Sequence, residues 1–242
     1  MALTSDPTAS RAAAPRPVRA TDAEDKQRRR GEILDAVDRL QLAGSGRDMS
    51  MADVARRAGL AKGTVYLYFE SKEALLVAAY ARKIDAFFDE LIAATEGAHA
   101  FGIDQLARLV RGHLTGPADY MALAGQCMAL LDRPAVAGEA AALSARIAER
   151  LAQAGAGLER RYRLLARGEG ARLLIHGYAL IVGLWHLTGA AFMERGPIAC
   201  LLPGLRYADE ADLALRRYWQ QAVGEAAAPS ACALPRLTGH PE

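Results

Sequence analysis

The stretch Met51-Ala-Asp-Val-Ala-Arg-Arg-Ala-Gly-Leu-Ala-Lys-Gly-Thr-Val-Tyr-Leu-Tyr-Phe69 decides the fold. It is preceded by Ser50, and the spacing Ser50-x-x-Asp53 suits a helix start, where a side-chain oxygen accepts an otherwise unpaired amide. The short helix so opened ends at Gly59, the residue type best able to take the left-handed conformation that follows a helix. A second short helix is expected over 62–68, and Ser71 opens a longer one. Small Ala55 permits a close crossing, Leu60 plugs the turn, and Val54, Ala58, Val65 and Tyr68 supply a small core. Two helices joined this way form a helix-turn-helix, which presents its second helix to a DNA major groove.

The side chains on that second helix carry suitable chemistry. Lys62, Thr64, Tyr66 and Tyr68 offer charge, hydroxyl donors and rings to phosphates, while Thr64 and Leu67 can meet base edges or a thymine methyl. Ser50, Gly63 and Lys72 complete the candidate DNA-binding set, Lys72 standing in the first turn of the helix that Ser71 opens. A plain helical hairpin with a glycine turn is the competing reading. A phosphate loop is excluded: Lys62-Gly63-Thr64 reverses the Gly-Lys-Thr order and follows a helix rather than a strand.

Residues Ile33 to Leu76 resemble the DNA-binding domain of TetR-type bacterial transcriptional regulators, above all in Tyr66-x-Tyr-Phe69 followed by Ser71-Lys72. Two departures are visible. Ala61 stands where many members of that family place a serine able to cap the recognition helix, a difference of about 1 kcal/mol. Leu67 and Tyr68 occupy positions that vary in the family, which leaves the DNA sequence open. The resemblance implies an all-α fold, with an N-terminal three-helix helix-turn-helix domain and a larger helical ligand-binding and dimerisation domain. It implies a homodimer on a palindromic double-stranded DNA operator, most simply a repressor released by an unidentified small-molecule effector, acting in the cytoplasm.

Outward from the motif, Ala, Leu, Glu, Arg and Gln dominate and period-two β-branched runs are absent, so the rest reads as helix. A first helix is expected over 23–42, with Thr21-x-x-Glu24 as a capping box and Ile33, Val37 and Leu40 on one face. In the fourth, over 71–94, Leu76, Tyr80, Ile84, Phe87 and Leu91 form a stripe that Leu75, Phe88 and Ile92 widen. Further helices are expected near 102–114, 118–132, 137–164, 168–190 and 208–224. Residues 1–21 read as an unstructured arm, whose Arg11, Arg16 and Arg19 suit a minor groove. The domain division is then 22–70 for the helix-turn-helix, 71–225 for the helical body and 226–242 for a tail.

In the body, Leu174, Tyr178, Ile181 and Trp185 share a stripe with small Gly177 and Gly183, and Leu213, Leu215, Tyr218 and Trp219 mark the last helix. Under the resemblance, this pair and its symmetry mate would build a four-helix dimer contact. Candidate ligand-pocket residues are Phe87, Phe88, His113, Tyr120, Met121, Gln126, Cys127, Met128, His176 and Tyr178, a mostly apolar set with a few polar handles.

Composition narrows the classes. The 242 residues are 52% apolar and 24% charged, which argues against wholesale disorder, and no apolar run reaches the roughly 18 to 20 residues of a membrane span. The net charge of +2 lies entirely within residues 1–75. Cys127, Cys200 and Cys232 show neither zinc spacing nor a disulfide framework, and the N-terminus lacks the apolar run of a signal peptide. Catalytic motifs are missing, and His176 and His186, about 15 Å apart along a helix, cannot share a metal. No enzyme activity, cofactor or metal is expected. The rival functional reading is a small-molecule-sequestering protein or degenerate enzyme with vestigial DNA binding.

Overall fold

A computed structural model describes residues 18–44, 48–97, 101–188 and 204–224. Among them every regular element is helical. Helix α1 (Val18–Leu42) buries Ile33, Leu34, Ala36 and Val37 near its C-terminal end. Its earlier turns stand in solvent, tied by Arg28 to Asp25 and Glu32 and by Arg29 to Glu32, all at 2.8–2.9 Å. The helix starts earlier than the sequence suggested. Residues 18–21 belong to α1 rather than to an arm, and Thr21 lies inside the helix, so the capping-box assignment to Thr21 and Glu24 is wrong. The Arg, Ala, Glu, Lys and Gln run has enough intrinsic helix preference to extend the element backwards. Arg11 and Arg16 lie outside the described residues, as do Cys200, Cys232 and the tail.

Helix α2 (Met51–Ala58) packs on α1, and α3 (Lys62–Tyr66) packs on α2. The Asp53 amide donates to Ser50 Oγ at 3.2 Å, and the Ser50 amide donates back to the Asp53 carboxylate at 3.0 Å. Gly59 adopts φ 70°, and the Leu60 amide then donates to the Ala55 carbonyl at 2.9 Å. Helix α3 is shorter than the expected 62–68. Phe69 must turn inward to be buried, and Ser71 must be extended so that its Oγ can accept from the Ala74 amide at 3.0 Å, capping α4 (Lys72–Glu96). Val54 and Val65 are fully buried in the small core, with Ala58, Leu60 and Tyr68 half-buried around them.

Helix α4 is the shared spine. Its first turns close the head, and its middle and end pack on α6 (Ala118–Met128) and α7 (Ala137–Arg161). Helix α5 (Ile103–Val110) passes into a π-helical turn, Arg111–Thr115, and a 3-10 turn, Pro134–Val136, leads into α7. Helices α8 (Glu169–Thr188) and α9 (Tyr207–Val223) finish the body. The expected helix over 118–132 stops at Met128, where Leu130 and Arg133 amides form tight turns onto Cys127 and Leu130 carbonyls before Pro134. Likewise α7 ends at Arg161, short of the expected 164.

Helices α7 and α8 meet backbone to backbone. A Cβ on Gly170 would lie 2.2 Å from the Gly155 carbonyl oxygen, and one on Gly155 would lie 2.5 Å from the Ala171 amide nitrogen. Only glycine permits that crossing. Gly183, expected to serve close helix packing in a dimer contact, has nothing within 4 Å of a Cβ built on it and is exposed.

Head and body are joined by charge as well as by α4. Arg82 of α4 pairs with Asp35 of α1 at 2.7 Å and with Asp38. Lys83 sits between Asp38, at 3.3 Å, and Asp119 of α6, at 2.9 Å. The Asp119 side chain is only 2% exposed, so its partner largely determines whether its charge is tolerated.

Candidate nucleic-acid interface

The outer face of α3 is assembled by what surrounds it. Val65 points into the head core and fixes the rotation of the helix, which leaves Lys62, Gly63 and Tyr66 exposed and Thr64 half-buried. Leu67, just past the helix, is 79% exposed. Lys62 Nζ lies 5.8 Å from the Tyr66 ring centroid, so the cation and the ring form one surface unit. Lys62, Gly63, Thr64, Tyr66 and Leu67 therefore stand together on one convex edge.

The remaining candidates are placed differently. Ser50 is exposed, but its hydroxyl is engaged with Asp53 at 2.6 Å as part of the cap. The Ser50 hydroxyl, followed by its amide, holds the Asp53 carboxyl below the usual carboxylate range, and Arg56 adds to this. Lys72 is half-buried at the first position of α4. Tyr68 is also half-buried and lines a groove of about 410 Å³ between the head and α7, alongside Arg30, Phe69, Leu143 and Arg146. Arg30 stacks over the Phe69 ring there, at 5.1 Å. The sequence reading passed over Arg56 and Arg57, both exposed on α2 beside α3. The Arg-Arg pair within the quoted motif was the available signal.

A second feature lies in the body. A cavity of about 140 Å³ sits among α4, α5, α6, α7, α8 and α9. Of the ten pocket candidates, Phe87, Phe88, Tyr120 and Tyr178 line it. Phe87 and Phe88 meet edge to face at 5.3 Å, and the Tyr80 and Tyr178 hydroxyls are 3.0 Å apart. Burial raises the Tyr80 and Tyr120 hydroxyls well above the ordinary tyrosine range, so both stay neutral.

The other candidates go elsewhere. His113 packs its ring near Phe87 and pairs with Glu90 at 3.2 Å, and His176 hydrogen-bonds the Tyr218 hydroxyl at 3.1 Å. Met121 and Gln126 line a separate groove with Trp185, and Met128 is exposed. Cys127 is fully buried, donates to the Leu76 carbonyl at 3.3 Å, and has its thiol pushed up to about 12 by burial. Tyr80, Gly177 and Trp219 line the cavity too; the sequence placed Gly177 and Trp219 in a dimer contact, but Leu174, Gly177, Ile181, Leu215 and Trp219 are buried within the chain, so that stripe is intrachain core.

Among the described residues, no cluster of three or more His, Cys, Asp or Glu side chains suits a metal, and no helix is long and apolar enough to cross a membrane.

Residues 33–79 match the family model for bacterial regulatory proteins of the tetR family. The chain is 45% identical over 60 residues to the HTH-type transcriptional repressor KstR of Rhodococcus jostii (strain RHA1), covering 25% of this chain and 28% of the repressor. It is 30% identical over 60 residues to the fatty acid metabolism regulator protein of Bacillus subtilis (strain 168), covering 25% of this chain and 31% of that protein. The matched segment thus spans about a third of the length of these curated relatives. In three dimensions, the chain is similar to a structure described as a TetR-family transcriptional regulator of Mesorhizobium loti MAFF303099. The TM-score is 0.54 at 19% identity, over 82% of this chain and 96% of the other, a likeness of fold.

Proposed function

Since residues 33–79 belong to the tetR family of bacterial regulatory proteins, we propose that the chain is a DNA-binding transcriptional regulator, a repressor acting as a cytoplasmic homodimer and released by a small molecule. The observation that carries this reading is the outward edge of α3, where Lys62, Gly63, Thr64, Tyr66 and Leu67 stand exposed or half-exposed on a rigidly capped head. Lys62 and Lys72 take phosphates, with Arg57 reaching the same strand. Tyr66 and Thr64 set the register, and Leu67 meets a thymine methyl. Ser50 contributes by holding α2 in place. Tyr68 supports the head from within the groove beside α7. No catalysis is part of this reading.

The dimer is supported by α8. Arg172, Ile175, His176, Ala179, Gly183, His186 and Leu187 recur at three- and four-residue steps and are all exposed. Small Ala179 and Gly183 at mid-stripe let a second copy approach closely. Two heads would then enter major grooves about 34 Å apart on a pseudo-palindromic operator. Effector control is supported by the cavity, because Tyr80, Ile84, Phe87 and Phe88 on its wall belong to α4, the helix whose first turn anchors α3. A ligand that displaces α4 changes the spacing of the heads, a coupling of about 1–3 kcal/mol in typical cases. The relatives' names do not assign an effector, since each likeness spans only 60 residues.

Selection of bound fragments from genomic DNA by the purified protein tests the reading. The expected result is an enriched palindrome with half-sites about one helical turn apart. Lys62→Ala should weaken binding and reduce the salt slope by about 1, and Lys62→Ala with Tyr66→Ala should abolish selection while leaving the thermal midpoint unchanged. No enrichment by a folded dimer at low salt would transfer the function to small-molecule sequestration.

A further inference from the structure

We propose that the groove between the head and α7 is a second small-molecule site, separate from the body cavity, which takes a monoanionic carboxylate on a flat apolar body and clips the head to α7. Arg30 of α1 and Arg146 of α7 hold the carboxylate, one from each side of the seam. Three features of the groove carry the inference.

The first is an uncommitted guanidinium. Arg82 pairs with Asp35 and Asp38, Arg146 with Asp85 at 2.9 Å, and Arg150 with Asp89 at 2.7 Å. Arg30 is half-buried and has a different neighbour: its guanidinium lies over the Phe69 ring, 5.1 Å from the centroid. A ring supplies no oxygen, and among the described residues no carboxylate or carbonyl accepts from Arg30. Burial, and then the charges of Arg146 and Arg82, make its cation less favourable there than in water. An incoming anion offsets both repulsions, and the planar guanidinium fork matches a carboxylate with two parallel N–H···O bonds. Arg146 is exposed and keeps N–H donors to spare beyond its bond to Asp85.

The second feature is room with the right lining. Ala74, Val77, Ala78 and Ala81 of α4 and Ala142 and Leu143 of α7 form the apolar floor of this groove of about 410 Å³. Their small side chains leave the seam unfilled and set a flat apolar surface beside the two arginines. A cavity of about 150 Å³ admits benzene, so this groove has space for a two-ring body. An occupant touches Arg30 and Phe69 of the head together with Leu143 and Arg146 of the body. It therefore favours the head position that keeps them together, and a ligand that prefers one position shifts the population toward it.

The third is a limit on charge. Glu70 of the head and Glu139 of α7 also line the groove. Neither carboxylate comes within 4 Å of the Arg30 or Arg146 cation, so neither takes the place of the bound anion. They instead repel any further negative charge that enters. A phosphate monoester, a dianion at neutral pH, thus gains less than a carboxylate of the same apolar body.

The test is calorimetric titration of the full-length protein at neutral pH with three probes: naphthoate, its neutral amide naphthamide, and naphthyl phosphate. Naphthoate should bind at least about tenfold more tightly than the amide, and more tightly than the phosphate. Arg30→Gln should lower naphthoate affinity about tenfold or more, with Arg30→Lys between the two because it keeps the charge but loses the fork. Arg146→Gln, at an exposed position, should give a similar loss should Arg30→Gln fail to fold. Ala142→Phe fills the floor with both charges intact and should also weaken naphthoate. Naphthoate binding that ignores all of these variants, equal binding of naphthoate and its amide, tighter binding of the phosphate, or no binding of any probe would each overturn the proposal. In a mobility-shift assay on a selected operator fragment, saturating naphthoate should change the affinity of the natural protein about fivefold or more and leave that of Arg30→Gln unchanged. No change in the natural protein would overturn the clip. Normal naphthoate binding by Arg30→Gln with lost operator affinity would overturn the site and reassign Arg30 to a DNA phosphate.

Discussion

The head and the body solve helix packing in opposite ways. In the head, α2 and α3 are too short to hold themselves, since isolated helices of this length are unstable in water. They are fixed by local devices: the Ser50–Asp53 cap, the left-handed Gly59, and the Ser71 cap that follows. In the body, helices of up to 25 residues need little help at their ends, and α7 has no side-chain cap at its start. Their order comes from contacts between distant residues, such as Gly155 against Gly170 and Cys127 against the Leu76 carbonyl. The head presents Lys62, Tyr66 and Leu67 outward and buries a single unpaired side-chain donor, the Gln41 amide, among the described residues. The body is incomplete inside, with a cavity and an unpaired indole N–H. Local capping thus fixes the segment that carries the exposed α3 edge, while free volume is left in the body.

The sharpest way to break the body alone is Gly170→Val. Any side chain there collides with the Gly155 backbone, which is not free to move aside as a flexible side chain would be. Destabilisation should reach about 3 kcal/mol or more, seen as a lowered midpoint in denaturant unfolding. A loss within about 0.5 kcal/mol would mean that α7 and α8 are not in backbone contact.

Next in size is the link between the two regions. Lys83→Met removes the cation shared by Asp38 of α1 and Asp119 of α6 and leaves Asp119 buried without a partner. A loss of about 2 kcal/mol is expected, less than for a fully buried pair because Asp38 and Lys83 keep some contact with water. Asp119 directly precedes Tyr120 on the cavity wall, so this pair also joins the cavity wall to α1. A double-mutant cycle between Lys83→Met and Asp119→Asn should show coupling above about 0.5 kcal/mol. Additive effects would uncouple the cavity from the head along this route.

The same contrast explains what could be read from the sequence. In the head, function and fold rest on neighbours in the chain, so Ser50, Asp53, Gly59, Val65 and Ser71 could be assigned before any coordinates. The edge that contains Lys62, Gly63, Thr64, Tyr66 and Leu67 followed from them. Tyr68 was legible as core but not as the wall of a groove, because α7 is some seventy residues away. In the body, helical periodicity put Tyr80 on an apolar stripe and Trp219 in a dimer contact, yet Trp219 is buried within the chain, and periodicity cannot say which apolar residues meet a partner, a neighbour or a void. Gly183 and Gly177 look alike in sequence, but only Gly177 faces a packed helix. Thr21 misled for the opposite reason: a capping pattern is local, but the strong helix formers before and after it overrode the stop.

A smaller change probes the head by itself. Ser50→Ala removes the acceptor of the Asp53 amide and should cost about 1 kcal/mol, with Ser50→Thr recovering most of it. Because α2 positions α3, operator affinity should fall along with stability, whereas binding of a small apolar probe in the body cavity should not change. Loss of both together would show that the head and the cavity melt as one unit.

The smallest expected effect concerns the other half of that cap. The Ser50 hydroxyl and amide hold the Asp53 carboxyl below its usual range, so the folded head favours the ionised form more than the unfolded chain does. Its contribution is therefore present above the unfolded carboxylate value, about 3.9, and is lost as pH falls through the lower folded value. The carboxyl is exposed, and solvent screening keeps the contribution small. Thermal midpoints of the natural protein and Asp53→Asn should thus differ most at neutral pH and converge in acid below about pH 4. A gap that stays constant down to pH 3 would mean that the ionised carboxylate does no capping. The head would then be held by its apolar core and by the Ser50 and Ser71 hydroxyl caps, without help from the Asp53 charge.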